Sequence, residues 1–294
     1  MELKGIIVPS ITIFNENEEI DIGATISHIE FLITNGVKSI LILGSIGEFA
    51  YLSFNEKKML IEQVGNYLHQ NHSGIQFIVG NSSTNCHESV QLGVIAQNNH
   101  ADIAIATLQT YFTLEKDQIC KYYIDIADQL QIPILAYNIP MATHVDLTPT
   151  ILKELAENGS IIGVKETGVP MNVIKELIEI APSNFQTICG TDMQLDESVN
   201  LGVKSAILGS SNYIPDLYTQ YFSALELNDL NARNDLWKII SKKISILLYG
   251  INYLPSIIKN ALIATKMPIA PFVRRPLPEI SDRIKKKIEK TLAG

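Results

Sequence analysis

Cysteine is scarce in this chain, with only Cys86, Cys120 and Cys189 in 294 residues. Three thiols, odd in number and far apart, exclude a disulfide framework and supply no paired spacing for zinc, so a reduced, cytoplasmic setting is expected. Positive charge is also short: 23 Lys and Arg stand against 31 Asp and Glu, a net charge of −8. That balance argues against a nucleic-acid or anionic-membrane partner. The basic cluster Arg283-Ile284-Lys285-Lys286-Lys287 alternates with apolar residues and reads as the solvated face of a terminal helix. No apolar run is long enough to span a bilayer, and the short one within residues 1–15 has Glu2 beside Lys4, so no targeting segment is expected. The first strand pattern is not followed by G-x-G-x-x-G, and no Gly-Lys phosphate loop occurs, which removes the nucleotide-binding doubly wound sheet. Six histidines show no ligand spacing, so no metal is expected. His144 alone lies near a loop where it would meet substrate.

What is present is a β-branched run, a turn and a stretch of helical period, repeated eight times. Candidate strands are 5–14, 39–43, 75–80, 102–107, 133–137, 161–165, 186–190 and 205–209, with helical patterns such as 22–35, 55–69, 87–98 and 114–130 between them. Asn55 and Thr148-Pro149 read as helix starts. Eight βα units in 1–228 predict an α/β fold closed into a parallel (β/α)8 barrel, and 229–294 a C-terminal helical extension. The proline-rich stretch 254–278 reads as a turn-rich connection within that extension.

In such a barrel the reacting groups come from the C-terminal ends of the strands. Lys165 closes the apolar run Ile161-Ile162-Gly163-Val164. Burial disfavours the charged form of a lysine, and a neutral amine attacks a ketone to give a Schiff base. Tyr137 ends the fifth run, where a phenol relays protons between hydroxyls. After the second run, Gly44-Ser45-Ile46-Gly47 reads as a tight turn whose exposed N–H groups and Ser45 hydroxyl suit a carboxylate. Glu48 reads as a turn or helix-start residue.

Gly-Ser-Ile-Gly-Glu at 44–48, Tyr-Asn-Ile-Pro at 137–140, Gly-Val-Lys-Glu-Thr at 163–167 and Gly-Thr-Asp at 190–192, in this order and spacing, resemble the dihydrodipicolinate synthase and N-acetylneuraminate lyase family. The resemblance runs from end to end. It implies a TIM barrel and a class I aldolase or lyase that forms or uses pyruvate, with a small keto acid as substrate and no cofactor beyond the covalent Schiff base. It also implies a homodimer or homotetramer. By position, Lys165 matches the Schiff-base lysine, Tyr137 the proton-relaying tyrosine and Ser45 the first hydroxyl of the carboxylate turn, which in the family also completes the proton relay. Tyr111 aligns with a tyrosine that a neighbouring subunit contributes to the relay. Thr167, Gly190 and Asp192 fall where the family contacts its second substrate, and Ile207 where it packs on the pyruvate moiety.

Three departures shape the expectation. Ile46 replaces a second hydroxyl residue of the carboxylate turn, leaving its backbone N–H. Thr110 stands where many members have a tyrosine. Ala142 stands where the synthases resemble Tyr-Asn-x-Pro-x-Arg-Thr and use the arginine to hold the aldehyde's carboxylate. A hydrogen bond of that charged type contributes ~1.5–3 kcal/mol, so its loss weakens capture of that aldehyde by roughly one to two orders of magnitude. The expected reaction is therefore reversible cleavage of a 2-keto-3-deoxy sugar acid to pyruvate and an aldehyde, with Thr143, Thr167, Thr191 and Asp192 holding its hydroxyls. The alternatives are 4-hydroxy-tetrahydrodipicolinate synthase, N-acetylneuraminate lyase, and a barrel that binds pyruvate or a sugar acid without turnover.

Overall fold

The structure, a computed structural model, describes residues 3–293, so the part of the N-terminal reading that rests on Met1 and Glu2 lies outside it. Eight parallel strands close into a barrel in chain order: β1 Gly5–Pro9, β2 Ser39–Ile42, β3 Gln76–Gly80, β4 Ile103–Ala106, β5 Ile134–Asn138, β6 Gly163–Glu166, β7 Gln186–Cys189 and β8 Ser205–Ile207. β2, β4, β5 and β6 are buried along their whole length, as expected of strands covered on both faces.

The sequence places all eight strands, with ends shifted by a residue or more. The largest shift is in β1, expected to reach Phe14. It stops at Pro9, paired with Leu41, and one further bond runs from Ser10 N to Leu41 O at 2.7 Å. Residues 10–14 stay buried without a sheet, and Phe14 instead bridges Ile20 antiparallel.

Helix ends obey local chemistry. The helix expected from Asn55 begins at Phe54, because Ser53 and Glu56 form the reciprocal cap: Ser53 N donates to Glu56 Oε2 at 2.8 Å and Glu56 N to Ser53 Oγ at 3.3 Å. Thr148 caps Pro149–Glu157 as expected, its hydroxyl accepting from Ile151 N. The stretch 254–278 is less turn-rich than its prolines suggest. Pro255 occupies the first turn of helix Leu254–Ala264, where a missing N–H costs nothing. The basic cluster lies on helix Asp282–Leu292, with Arg283, Lys286 and Lys287 exposed as expected.

Two compact units divide the chain. Among the described residues, one holds 64–207 with Leu3 and Lys4, the other 5–63 and 208–293. In the first, Ala104, Ala106, Ala136 and Val164 pack with Tyr123, Leu152 and Leu155 of the surrounding helices. The boundary drawn at 228–229 falls between helices Pro215–Glu226 and Leu230–Lys243, at left-handed Asn228. Among the described residues no single helix is long and apolar enough to cross a membrane. All three cysteines are free.

Candidate active site

Strand register builds the first part of the site. Tyr137, Lys165 and Ile188 lie in one row across β5, β6 and β7, and Asn138, Glu166 and Cys189 in the next. Successive residues of a strand point to opposite faces. Because Ala136 and Val164 pack against the helices, the Tyr137–Lys165 row faces the barrel interior. Lys165 is 5% exposed, and its Nζ lies over the Tyr137 ring, 4.1 Å from the centroid. It makes no ion pair among the described residues.

Gly190 follows directly on β7 and belongs beside this lysine for a steric reason. A Cβ there would stand 2.0 Å from Thr167 Oγ1, 2.6 Å from Glu166 O and 3.0 Å from Lys165 Cε. No side chain fits. Gly190 N also donates to Glu166 O at 2.7 Å, tying the end of β7 to the end of β6. Thr167 brings a buried hydroxyl that has no hydrogen-bond partner, next to the lysine.

Other expected contacts divide by what their hydroxyls already do. Thr191 Oγ1 accepts from Gly168 N at 2.8 Å, and Thr143 Oγ1 donates to Ile139 O at 3.1 Å while accepting from Val145 N at 3.3 Å. The Thr143 hydroxyl therefore shapes its own buried turn, and the Thr191 hydroxyl ties the loop after β7 to the loop after β6. Asp192 opens a short helical turn, half-buried, and Ile207 ends β8 fully buried. Tyr111 is set apart: it is 94% exposed, beside Phe112 at 75%, the two rings edge to face at 5.2 Å. His144 is exposed and left-handed at the end of the Pro140–Thr143 turn.

Behind the reacting row, Asn138 Nδ2 donates to Glu166 Oε2 at 3.0 Å and to Asp146 Oδ1 at 3.3 Å, and Asn138 Oδ1 accepts from Leu147 N at 3.1 Å. Burial pushes the Glu166 carboxyl up to about 8, with Asp146 adding to the rise and Asn138 opposing it. Sequence reasoning passed over Glu166. Its signal is a carboxylate inside an otherwise buried strand, one place beyond the lysine.

The other unit carries the 44–48 turn. Its left-handed residues are Leu43 and Glu48, at φ 58° and 61°, and not the glycines expected to supply unusual angles. Gly47 is needed for space instead: a Cβ would stand 3.0 Å from Ser10 O, and Thr12 Oγ1 donates to Gly47 O at 2.7 Å. Ser45 and Ile46 are half-buried on this turn, Ile46 lying against Gly209.

Glu48 was expected to serve in the turn or helix start, and its side chain does something else. Oε1 accepts from Lys259 Nζ at 2.6 Å and Oε2 from Arg274 N at 2.8 Å. Lys259, also passed over, carries the signal used for Lys165: a lone lysine in the apolar run Ser256-Ile257-Ile258-Lys259-Asn260-Ala261-Leu262.

The sequence model of the dihydrodipicolinate synthetase family matches residues 2–294. The chain belongs to that family. Among its relatives, the 4-hydroxy-tetrahydrodipicolinate synthase of Methanocaldococcus jannaschii is 31% identical over 98% of this chain and 97% of its own. YagE of Escherichia coli K12, whose name makes it a candidate 2-dehydro-3-deoxy-D-gluconate aldolase, is 30% identical over 77% of this chain and 75% of its own. The crystal structure of YagE in complex with pyruvate superposes with a TM-score of 0.94 at 26% identity, covering 100% of this chain and 98% of that one. Dihydrodipicolinate synthase of Aquifex aeolicus gives a TM-score of 0.92 at 27% identity, covering 99% and 97%. The eight-stranded barrel and the family expected from the motifs are thus both found, and identity alone does not separate synthase from aldolase within it.

Proposed function

We propose that this family member is a class I aldolase that cleaves a 2-keto-3-deoxy sugar acid reversibly to pyruvate and an aldehyde. The observation that carries the reading is Lys165, buried at a strand end with its Nζ over the Tyr137 ring and no carboxylate holding it. Lys165 attacks the keto carbon, and Tyr137 passes protons as the carbinolamine loses water to a protonated imine. Removal of the C4 hydroxyl proton then breaks the C3–C4 bond. The bonding electrons move into the imine and leave an enamine, the aldehyde departs, and protonation at C3 with hydrolysis releases pyruvate and the free amine. The Gly44–Gly47 turn with Ser45 takes the keto acid's carboxylate, which orients the ketone for attack. Thr167 and Asp192 take hydroxyls of the sugar chain, and Ile207 packs on the pyruvate methyl. Tyr111, almost wholly exposed, supports a homo-oligomer in which it enters a neighbouring subunit's relay.

Substrate choice rests on the loops after β5, β6 and β7. Residues 139–148, 167–170 and 190–194 contain no lysine or arginine, and Ala142 is exposed on its turn. Hydroxyls and Asp192 suit a neutral polyol chain better than a second carboxylate. The synthase reaction is the second reading, favoured by the near-equal identity to the M. jannaschii enzyme.

Pyruvate followed by borohydride tests the chemistry: the expected mass increase maps to the peptide carrying Lys165. No adduct in the wild type, with pyruvate still bound, would make the barrel a binding protein. Comparing cleavage of 2-keto-3-deoxy-gluconate and sialic acid with the synthase's aldehyde condensation then separates the enzymes. A faster condensation by a wide margin overturns the argument from Ala142.

A further inference from the structure

Glu48 and Lys259 are both fully buried, and their ion pair at 2.6 Å is one corner of a larger cluster. Lys259 Nζ also donates to Phe272 O at 2.7 Å and lies over the Phe14 ring, 4.4 Å from its centroid. Arg274 continues the cluster outward: its backbone N donates to Glu48, and its guanidinium bonds Glu56 at 2.8 Å and Tyr51 O at 3.3 Å. Helix Leu254–Ala264 and the chain after it are thereby fastened to the last residue of the Gly44–Glu48 turn.

Why a fold would bury this pair is not explained by stability, since an apolar pair of similar volume is often as good or better. Backbone geometry gives a reason. Glu48 is left-handed at φ 61°, an uncommon conformation for a residue with a side chain, and here that side chain is fully buried and held. The Glu48 carboxylate is gripped from two sides, by Lys259 and by Arg274 N. Its own N–H donates to Ser45 O at 3.1 Å, so the residue held by the ion pair closes the turn through Ser45. Ile46 offers this turn no side-chain hydroxyl, which leaves its carboxylate affinity more dependent on where the backbone N–H groups point.

We infer that Glu48 and Lys259 are positioning residues that hold the Gly44–Gly47 turn in the shape that binds the keto-acid carboxylate, so that the C-terminal helix tunes pyruvate affinity. The inference rests on the proposed reading of that turn. Neither residue touches the reacting atoms, and their effect falls on binding more than on the bond-making steps at Lys165.

The test is the pyruvate dependence of the borohydride adduct, with steady-state cleavage kinetics, for wild type, Glu48→Gln, and the double variant Glu48→Gln with Lys259→Met. The double variant removes both charges, so neither is left stranded in the core. Expected is a pyruvate half-saturation and a KM raised about tenfold or more in each folded variant, with kcat changed less than about threefold. Adduct mass at saturating pyruvate should stay on Lys165. Half-saturation within about twofold of wild type in a folded variant, whatever its melting temperature, overturns the inference and leaves the pair a structural device. Equal losses in kcat and kcat/KM overturn it as well. A wild type that forms no adduct instead removes the reading on which the inference stands, a result distinct from either variant outcome.

Discussion

Lys165 and Lys259 are both buried, 5% and 0% exposed, and each places its nitrogen over an aromatic face, Tyr137 at 4.1 Å and Phe14 at 4.4 Å. What separates them is the rest of their surroundings. Lys259 meets a carboxylate at 2.6 Å and a carbonyl at 2.7 Å, so its donors are committed to structure. Burial pushes the Lys259 ammonium down and the Glu48 carboxyl up, and their attraction opposes both shifts. Lys165 has no such anchor, and beside its stem stands Gly190, where an added Cβ would come within 3.0 Å of Lys165 Cε. A buried lysine is therefore not a chemical signal in itself. The signal is a buried lysine that its neighbours leave uncommitted.

Replacing each lysine by methionine should break the comparison in opposite directions. Lys165→Met strands no partner and should melt near the wild-type temperature, while cleavage falls about 10⁴-fold or more, as when a nucleophile is removed. Lys259→Met leaves Glu48 buried without its counter-ion, at a cost of about 3–5 kcal/mol. That lowers the melting midpoint by about 10 °C in a chain of this size. Calorimetry and activity on the same two preparations decide it. A Lys259→Met protein as stable as wild type would show that the carboxylate does not commit its lysine.

The carboxyl beside Lys165 in sequence sharpens the contrast. Glu166 lies on the opposite face of β6 from the lysine side chain, and its pKa is raised from 4.5 to about 8, chiefly by burial. The folded chain thus keeps a proton that the unfolded chain gives up. Its contribution is fully present below the unfolded pKa of 4.5 and is lost as pH rises through about 8. Glu166→Gln stays neutral throughout. Urea midpoints should show the wild type losing about 3 kcal/mol relative to this variant between about pH 5 and pH 8. Parallel pH profiles for the two proteins would mean that Glu166 is ionised in the fold and sits near Lys165 as an anion after all.

Much of this was legible in sequence, for reasons that differ from place to place. Strands buried on both faces leave continuous apolar runs, so all eight were visible, and Lys165 and Tyr137 stood out as polar ends of such runs. The last bond of the β1 ladder is Ser10 N to Leu41 O, and the second long helix starts at the Ser53–Glu56 cap. Periodicity is blind to both. The glycines of the 44–48 turn were seen, but their purpose was misjudged, because close approach to Ser10 O involves a segment 37 residues away. The Glu48–Lys259 pair is separated by 211 residues, and only coordinates bring it together. Thr143 and Thr191 read in sequence as neutral polar groups for a substrate, and which backbone group claims a hydroxyl is a property of the folded chain.

Gly190 offers the finest test of what keeps Lys165 uncommitted. In Gly190→Ala the new methyl meets Thr167 Oγ1 at 2.0 Å, Glu166 O at 2.6 Å and Lys165 Cε at 3.0 Å, so something must move. Overpacking of this kind costs about 1–3 kcal/mol of stability. Displacing the lysine stem should also cost catalysis, about tenfold or more, because attack depends on the placement of Nζ to within an ångström. Adding Thr167→Ala removes the worst of the three clashes, and because that hydroxyl is also proposed to hold substrate, the double variant is read against Thr167→Ala alone, which separates the two effects. If stability then recovers while cleavage stays low, the contact with the lysine stem is what matters, and Gly190 is there to keep Lys165 in place. If cleavage recovers in step with stability, the glycine serves the threonine, and Lys165 is positioned by Tyr137 and the barrel wall alone.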